Sequence, residues 1–245
     1  LRYNNSSDAP SVAARVFTVT ANDGMETSSS ATFTVTVAAT NDTPVITVGS
    51  SDSATTSVTE SNGTLRASGT LSVQDRDVAN TVAATVAGVV ASGTTTGLSS
   101  NNAALLAMLT VDAGNVIEST NTTGTIHWTF NSGNEAFNDL KPGDTLTFAY
   151  TVRVSDGALQ AESTITVVVR GTNDAPVISV SAGDAATASL TETDAALTAT
   201  GTLSVSDAEA ANTLTASVAG VSVHSSSTAS SGAIPTQADL LAMLS

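Results

Sequence analysis

TLTFAYTVRVSDG, Thr145 to Gly157, sets apolar Leu146, Phe148, Tyr150, Val152 and Val154 at every second position and then breaks at Ser-Asp-Gly. A side-chain period of two sends one row of residues to a core and the other to water, the signature of an antiparallel sheet with one wet face. Asp-Gly tolerates the backbone angles that a reversal needs. Working outward, the same alternation recurs at Thr32 to Val37, Thr125 to Phe130 and Thr164 to Val167. The pattern also returns as a unit. FTVTANDG, Phe17 to Gly24, matches Tyr150 to Gly157 at a spacing of 133 residues, and TNDTPVITV, Thr40 to Val48, returns as TNDAPVISV, Thr172 to Val180, at 132.

The register holds along the chain. Glu60 maps onto Glu192, Gly69 to Val73 onto Gly201 to Val205, and Val86 to Val89 onto Val218 to Val221; after a three-residue insertion Leu105 to Leu109 maps onto Leu240 to Leu244. The chain therefore reads as a window on a tandem array: the tail of one repeat (1–43), a whole repeat (44–175) and the front of a third (176–245). About 132 residues is too long for a solenoid unit and suits an autonomous domain. The whole repeat is expected to hold seven strands, at 45–48, 57–59, 67–74, 81–87, 124–131, 145–155 and 161–170. That count, with turn residues between, implies an all-β immunoglobulin-like or cadherin-like sandwich. One short helix per repeat is expected at Asn102 to Leu109, capped by Asn101 or Asn102, with its leucines in the core; the counterpart is Thr236 to Leu244. Each partial repeat should lack strands that it needs.

Composition narrows the function. The net charge is −15 and Lys141 is the only lysine, which excludes the basic patches that nucleic acid and anionic membranes require. Acidic domains do attract cations. Hydrophobic residues make up 41% of the chain and alternate regularly, so it is not a disordered composition. There is no cysteine, which removes disulfides, thiolate metal sites and cysteine nucleophiles. No apolar run reaches the roughly 18 to 20 residues of a membrane span, so no membrane insertion is expected in this segment.

Four motifs stand in a fixed order: Trp128 to Phe130, Asn138-Asp139-Leu140-Lys141-Pro142-Gly143-Asp144-Thr145, Tyr150 to Gly157, and Gly171-Thr172-Asn173-Asp174-Ala175-Pro176. Together they resemble the VCBS-type repeat of very large secreted bacterial adhesins. The resemblance covers the 44–175 unit and both partial repeats. It implies extracellular stalk domains that hold an adhesive region away from the cell, often with calcium, and act in cell adhesion and biofilm. The implied partners are neighbouring repeats of the same chain, or other copies in a filament.

The carboxylates suggest where calcium would sit. If the strands run alternately up and down, the Asp75-Arg76-Asp77 turn and Asp156 lie at the end where Asn41 and Asp42 lead into the repeat. At the other end Glu60 and the Asp139 or Asp144 turn approach Asn173 and Asp174, with Asp207 and Glu209 arriving from the next repeat. Calcium takes six to eight oxygens, which each junction could largely supply. Without a cation the clustered carboxylates repel. The arrangement resembles the interdomain sites of cadherins, with Asp75, Asp77 and Asn80 in place of their Asp-x-Asp turn and later Asn. It departs from them in a shorter spacing to Asn80 and a single Asp per linker. The competing reading gives these residues only Asx turns and surface charge.

Enzymatic chemistry finds little support. His127 lies on an alternating strand and His224 in a Ser-rich stretch, with no serine elbow, paired-carboxylate cleft or phosphate loop beside either. Trp128 reads as a core anchor and the Thr rows as the wet sides of strands. Gly-Gly-x-Gly-x-Asp nonapeptides are absent, so calcium would have to bind at junctions. Two other functions stay open: a sandwich that binds glycan or protein, and an accessory domain of a secreted hydrolase. Aromatics clustered on one exposed face would favour the binding module.

Overall fold

β10 (Thr145–Ser155) carries out what its alternation demands, because Leu146, Phe148, Tyr150, Val152 and Val154 are all buried. The computed structural model describes residues 2–77, 79–209, 212–224 and 236–243. It divides into two units, Leu1–Asp174 and Ala175–Ser245.

In the first unit, β10 lies between β11 (Gln160–Arg170) and β6 (Val82–Gly93), antiparallel to both. β4 (Thr55–Thr59) runs parallel to β11, and β8 (Asn115–Ile117) closes the far edge to give the order β4-β11-β10-β6-β8. The facing sheet has the order β3-β5-β9-β7, from β3 (Val45–Thr47), β5 (Arg66–Gln74), β9 (Thr123–Asn131) and β7 (Leu109–Val111). This is an immunoglobulin-like β-sandwich whose first stretch of chain is shared between sheets, β3 in one and β4 in the other. Its core gathers alternate residues of both sheets around Phe130, Phe148 and Tyr150, whose ring centres stand 6.1–6.3 Å apart. Trp128 is fully buried and its indole N–H donates to the Ser53 carbonyl at 2.9 Å. The ring needs Gly69 opposite it: a Cβ there would stand 2.5 Å from Trp128.

Among the described residues the whole repeat holds nine strands where seven were expected. The additions, β7 and β8, are three residues each, too short to display a period. α1 (Asn102–Ala107) ends two residues early because Leu109 already pairs with Phe130 in β7. Asn101 caps it by accepting from the Ala104 amide, and Leu105 enters the core, where its carbonyl accepts the Tyr150 hydroxyl at 3.0 Å.

Before the sandwich, β1 (Arg15–Val19) and β2 (Ala31–Val35) form an antiparallel hairpin. Its turn is held by the Asp23 carboxylate, which accepts the Met25 and Glu26 amides, with Gly24 at φ +100°. Phe17 and Phe33 pair across it, both substantially exposed.

The second unit contains β12 (Val177–Ser179) paired antiparallel with β13 (Ser204–Ser206), and α2 (Gln237–Ala242) with a capping box of Thr236 and Asp239. Val177↔Ser206 is the same register, one repeat later, as Val45↔Gln74. Leu244, the last residue of the expected second helix, lies outside the described residues.

Candidate metal centre

The linker before the sandwich and two of its turns meet at one point. β5 ends at Gln74 and the chain turns at once, with the Asp77 amide donating to Asp75 Oδ1 at 2.9 Å. The turn linking β10 to β11 places Asp156 alongside, its Oδ1 accepting the Ala158 and Leu159 amides. The linker then docks on both. The Asp42 amide donates to Asp77 Oδ2 at 2.5 Å, Asn41 Nδ2 donates to Asp156 Oδ2 at 2.7 Å, and Asn80 Nδ2 donates to Asn41 Oδ1 at 2.6 Å. Asn41, Asp42, Asp75, Asp77 and Asp156 thus come together as their order along the strands implies.

Asp75 is the anomaly. It is 1% exposed, and its Oδ2 is buried without a hydrogen-bond partner. Burial pushes its carboxyl above the usual range; the Asp77 amide opposes this, while the charges of Asp77, Asp156 and Asp42 add to it. Asp156 shows the opposite balance. Burial raises its carboxyl, but the Leu159 amide, the Asn41 side chain and the Ala158 amide outweigh that and hold it below the usual value.

Among the described residues, no three Asp, Glu or His side chains are already drawn together as a metal shell. The hydrogen bonds just described occupy Asp77 Oδ2 and both carboxylate oxygens of Asp156. A cation here would recruit Asp75 Oδ2 first. It would also turn the Asn41 amide, so that oxygen replaced nitrogen toward Asp156.

At the far end of the sandwich, Glu60 is 3% exposed. Its Oε2 accepts the Thr172 amide at 3.0 Å and hydroxyl at 2.6 Å, while Oε1 has no partner. Asp144 accepts the Lys141 amide at 3.3 Å, and its carbonyl accepts the Gly171 amide. Asn173 Nδ2 donates to the Asp174 carbonyl. Asp207 and Glu209 belong to the second unit, where Asp207 Oδ1 accepts the Glu209 amide, as Asp75 does that of Asp77. Sequence reasoning missed Thr172, which clamps Glu60, and the Asn62–Asn138 pair beside it. Thr172 sits inside the repeated TND motif, a signal that was present but silent about its partner.

Elsewhere, His127 is exposed and paired through Nδ1 with Asp112 at 2.7 Å; that hydrogen bond holds the Asp112 carboxyl down. An open groove lined by Ser99, Ser100, Ala104, Met108, Asn131 and Glu135 has no aromatic wall. No helix among the described residues is long and apolar enough to cross a membrane.

No family model and no curated protein matches the chain. Among solved structures it is similar to the CooA pilin subunit of enterotoxigenic Escherichia coli, at 12% identity and TM-score 0.34 over 55% of this chain and 100% of that one. It is also similar to a PapD-like domain of human CEP192, at 8% identity and TM-score 0.32 over 54% and 86%. A third likeness is to the cadherin-like domains 1 to 4 of zebrafish RET, at 13% identity and TM-score 0.25 over 65% and 33%. The fold assignment rests on strand order and register, not on these likenesses.

Proposed function

We propose that this chain is a non-enzymatic extender segment of a large extracellular bacterial adhesin, built from immunoglobulin-like repeats whose junctions bind calcium. The observation that carries the reading is the buried, partnerless Asp75 Oδ2 at the meeting point of the linker with Asp77 and Asp156. A carboxylate oxygen withdrawn from water with no donor is costly unless a cation supplies the missing partner. Asp75, Asp77, Asp42, Asp156 and Asn41 would hold the ion. At the downstream junction Glu60, Asp144, Asn173, Asp174, Asp207 and Glu209 are the proposed set, Glu60 Oε1 being the open acceptor there.

Calcium would supply a multivalent oxygen-binding centre that ties the linker to both turns. Sites of extracellular modules bind at roughly 0.1 to 1 mM. Calcium at tenfold above its dissociation constant stabilises the bound form by roughly 1.4 kcal/mol per site. The mechanical effect is larger: a jointed string becomes a rod. Small-angle scattering and melting of two consecutive repeats, with calcium and with chelator, test this. A longer maximum dimension and a higher melting temperature with calcium are expected. Identical values in the two conditions would sink the proposal.

A further inference from the structure

Asn62-Gly63 is the one Asn-Gly step in the chain; every other asparagine is followed by a residue that carries a Cβ. Glycine leaves its peptide nitrogen unshielded, and its backbone reaches conformations closed to other residues. The pair lies in the exposed turn between β4 and β5, two residues after the buried Glu60, and a Cβ built on Gly63 would meet nothing within 4 Å. A side-chain amide next to such a nitrogen can close a ring on it.

The linker asparagine is held differently. Asn41 is bonded through both ends of its amide, donating to Asp156 Oδ2 at 2.7 Å and accepting Asn80 Nδ2 at 2.6 Å, and the bulkier Asp42 follows it. Asn62 Oδ1 accepts Asn138 Nδ2 at 2.7 Å, which leaves the amide nitrogen, the group that must depart, outside that bond. The repeat supplies a second, independent observation. At the spacing that takes Glu60 to Glu192, Asn62 falls on Asp194 and Gly63 on Ala195. The next repeat thus carries, at this position, the carboxylate that hydrolysis of Asn62 would produce.

We infer that Asn62-Gly63 is a spontaneous deamidation site, at which the asparagine becomes a carboxylate without an enzyme. The Gly63 amide nitrogen gives up its proton and attacks Asn62 Cγ. The new N–C bond closes a five-membered succinimide as the bond from Cγ to Nδ2 breaks, and ammonia leaves with that proton. Water then opens the ring at one of its two carbonyls. Cleavage at Cγ leaves an aspartate on the ordinary main chain; cleavage at the main-chain carbonyl leaves an isoaspartate whose backbone runs through the former side chain. Either product adds one negative charge to the net −15. The aspartate keeps the existing bond, because Asn138 already presents Nδ2 to that oxygen, and a carboxylate accepts more strongly than an amide. The step needs only water and does not depend on calcium.

The test incubates the freshly purified 245-residue chain at 37 °C and pH 8, beside a sample in denaturing urea, and follows each asparagine by tandem mass spectrometry. Asn62 should convert first, its NH2 replaced by OH, at a rate within about tenfold of that in urea because the turn is open. Asn41 should keep its amide over the same period. Gly63→Ala, which the open space around Gly63 accommodates, should slow conversion by more than about tenfold. Asn62→Asp, the aspartate product made directly, should leave emission from Trp128, the lone tryptophan, unchanged and melt no lower than wild type. An Asn62 amide that survives in the folded chain after the urea sample has converted, a Gly63→Ala chain that converts as fast as wild type, or an Asn62→Asp chain that melts lower overturns the inference.

Discussion

The whole repeat and its two flanking pieces share one sequence pattern in different circumstances, and they differ in burial far more than in local geometry. Asp23 clasps the β1–β2 turn as Asp156 clasps the β10–β11 turn, with Gly24 and Gly157 both at positive φ. Asp184 accepts the Ser181 and Ser204 amides as Asp52 accepts those of Gly49 and Ser72. Caps, turns and register are local chemistry and survive without a core. The burial of Leu71, Phe148 or Ile165 requires strands far apart in sequence to be present together, and the flanks lack them. Turns can be formed by a fragment; a sandwich cannot.

The comparison breaks most easily at the core. Trp128→Ala should cost about 3–5 kcal/mol, because a fully buried ring leaves a cavity. Phe33→Ala in the exposed hairpin should cost less than about 1 kcal/mol. Urea denaturation followed by circular dichroism measures both, and equal losses would mean that the hairpin shares a core with the sandwich.

The junction sharpens the comparison at intermediate scale. Asp75→Asn removes a buried carboxylate whose ionisation is opposed by burial and three neighbouring charges. In chelator the variant should melt at or above wild type; in calcium it should lose most of the roughly 1.4 kcal/mol that one site contributes. Calorimetry in the two buffers decides, and a variant that gains as much from calcium as wild type removes Asp75 from the site.

The smallest effect separates equivalent turns. Asp52→Ala gives up bonds from Gly49, Thr70 and Ser72 and should cost about 1 kcal/mol at pH 6. Those bonds, the Gly49 amide first, hold its carboxyl below the ordinary value. Its contribution is therefore complete above the ordinary value near pH 4 and fades as pH falls through the lower folded one. The gap in urea midpoint between wild type and variant should close below pH 4. Asp184→Ala, on the equivalent turn of the unpacked second unit, should leave the melting of the sandwich unchanged.

The β class and long strands were legible because period-two runs such as Thr145 to Val154 are long enough to state which face is buried. β7 and β8 were not, since three residues cannot show a period and their pairing is decided by β9 and β6. β6 runs on to Gly93, past the expected end at 87, because β10 continues beside it. At the linker, the convergence of Asn41, Asp42, Asp75, Asp77 and Asp156 followed from strand alternation alone. The partnerless oxygen of Asp75 did not, because it depends on packing depth, and Thr172 on Glu60 depends on which loop closes over the foot of β4.

The parallel neighbours β4 and β11 have a consequence under tension. Load on an extended array would enter each sandwich through the segment before β4 and leave through the segment after β11. Because these strands lie side by side and run the same way, that pull slides one along the other. The five registered pairs from Thr55↔Thr166 to Thr59↔Arg170 then resist together instead of opening one at a time. In such an array β4, which follows β3 of the facing sheet, would work as a shear clamp, placed where a tether would be pulled.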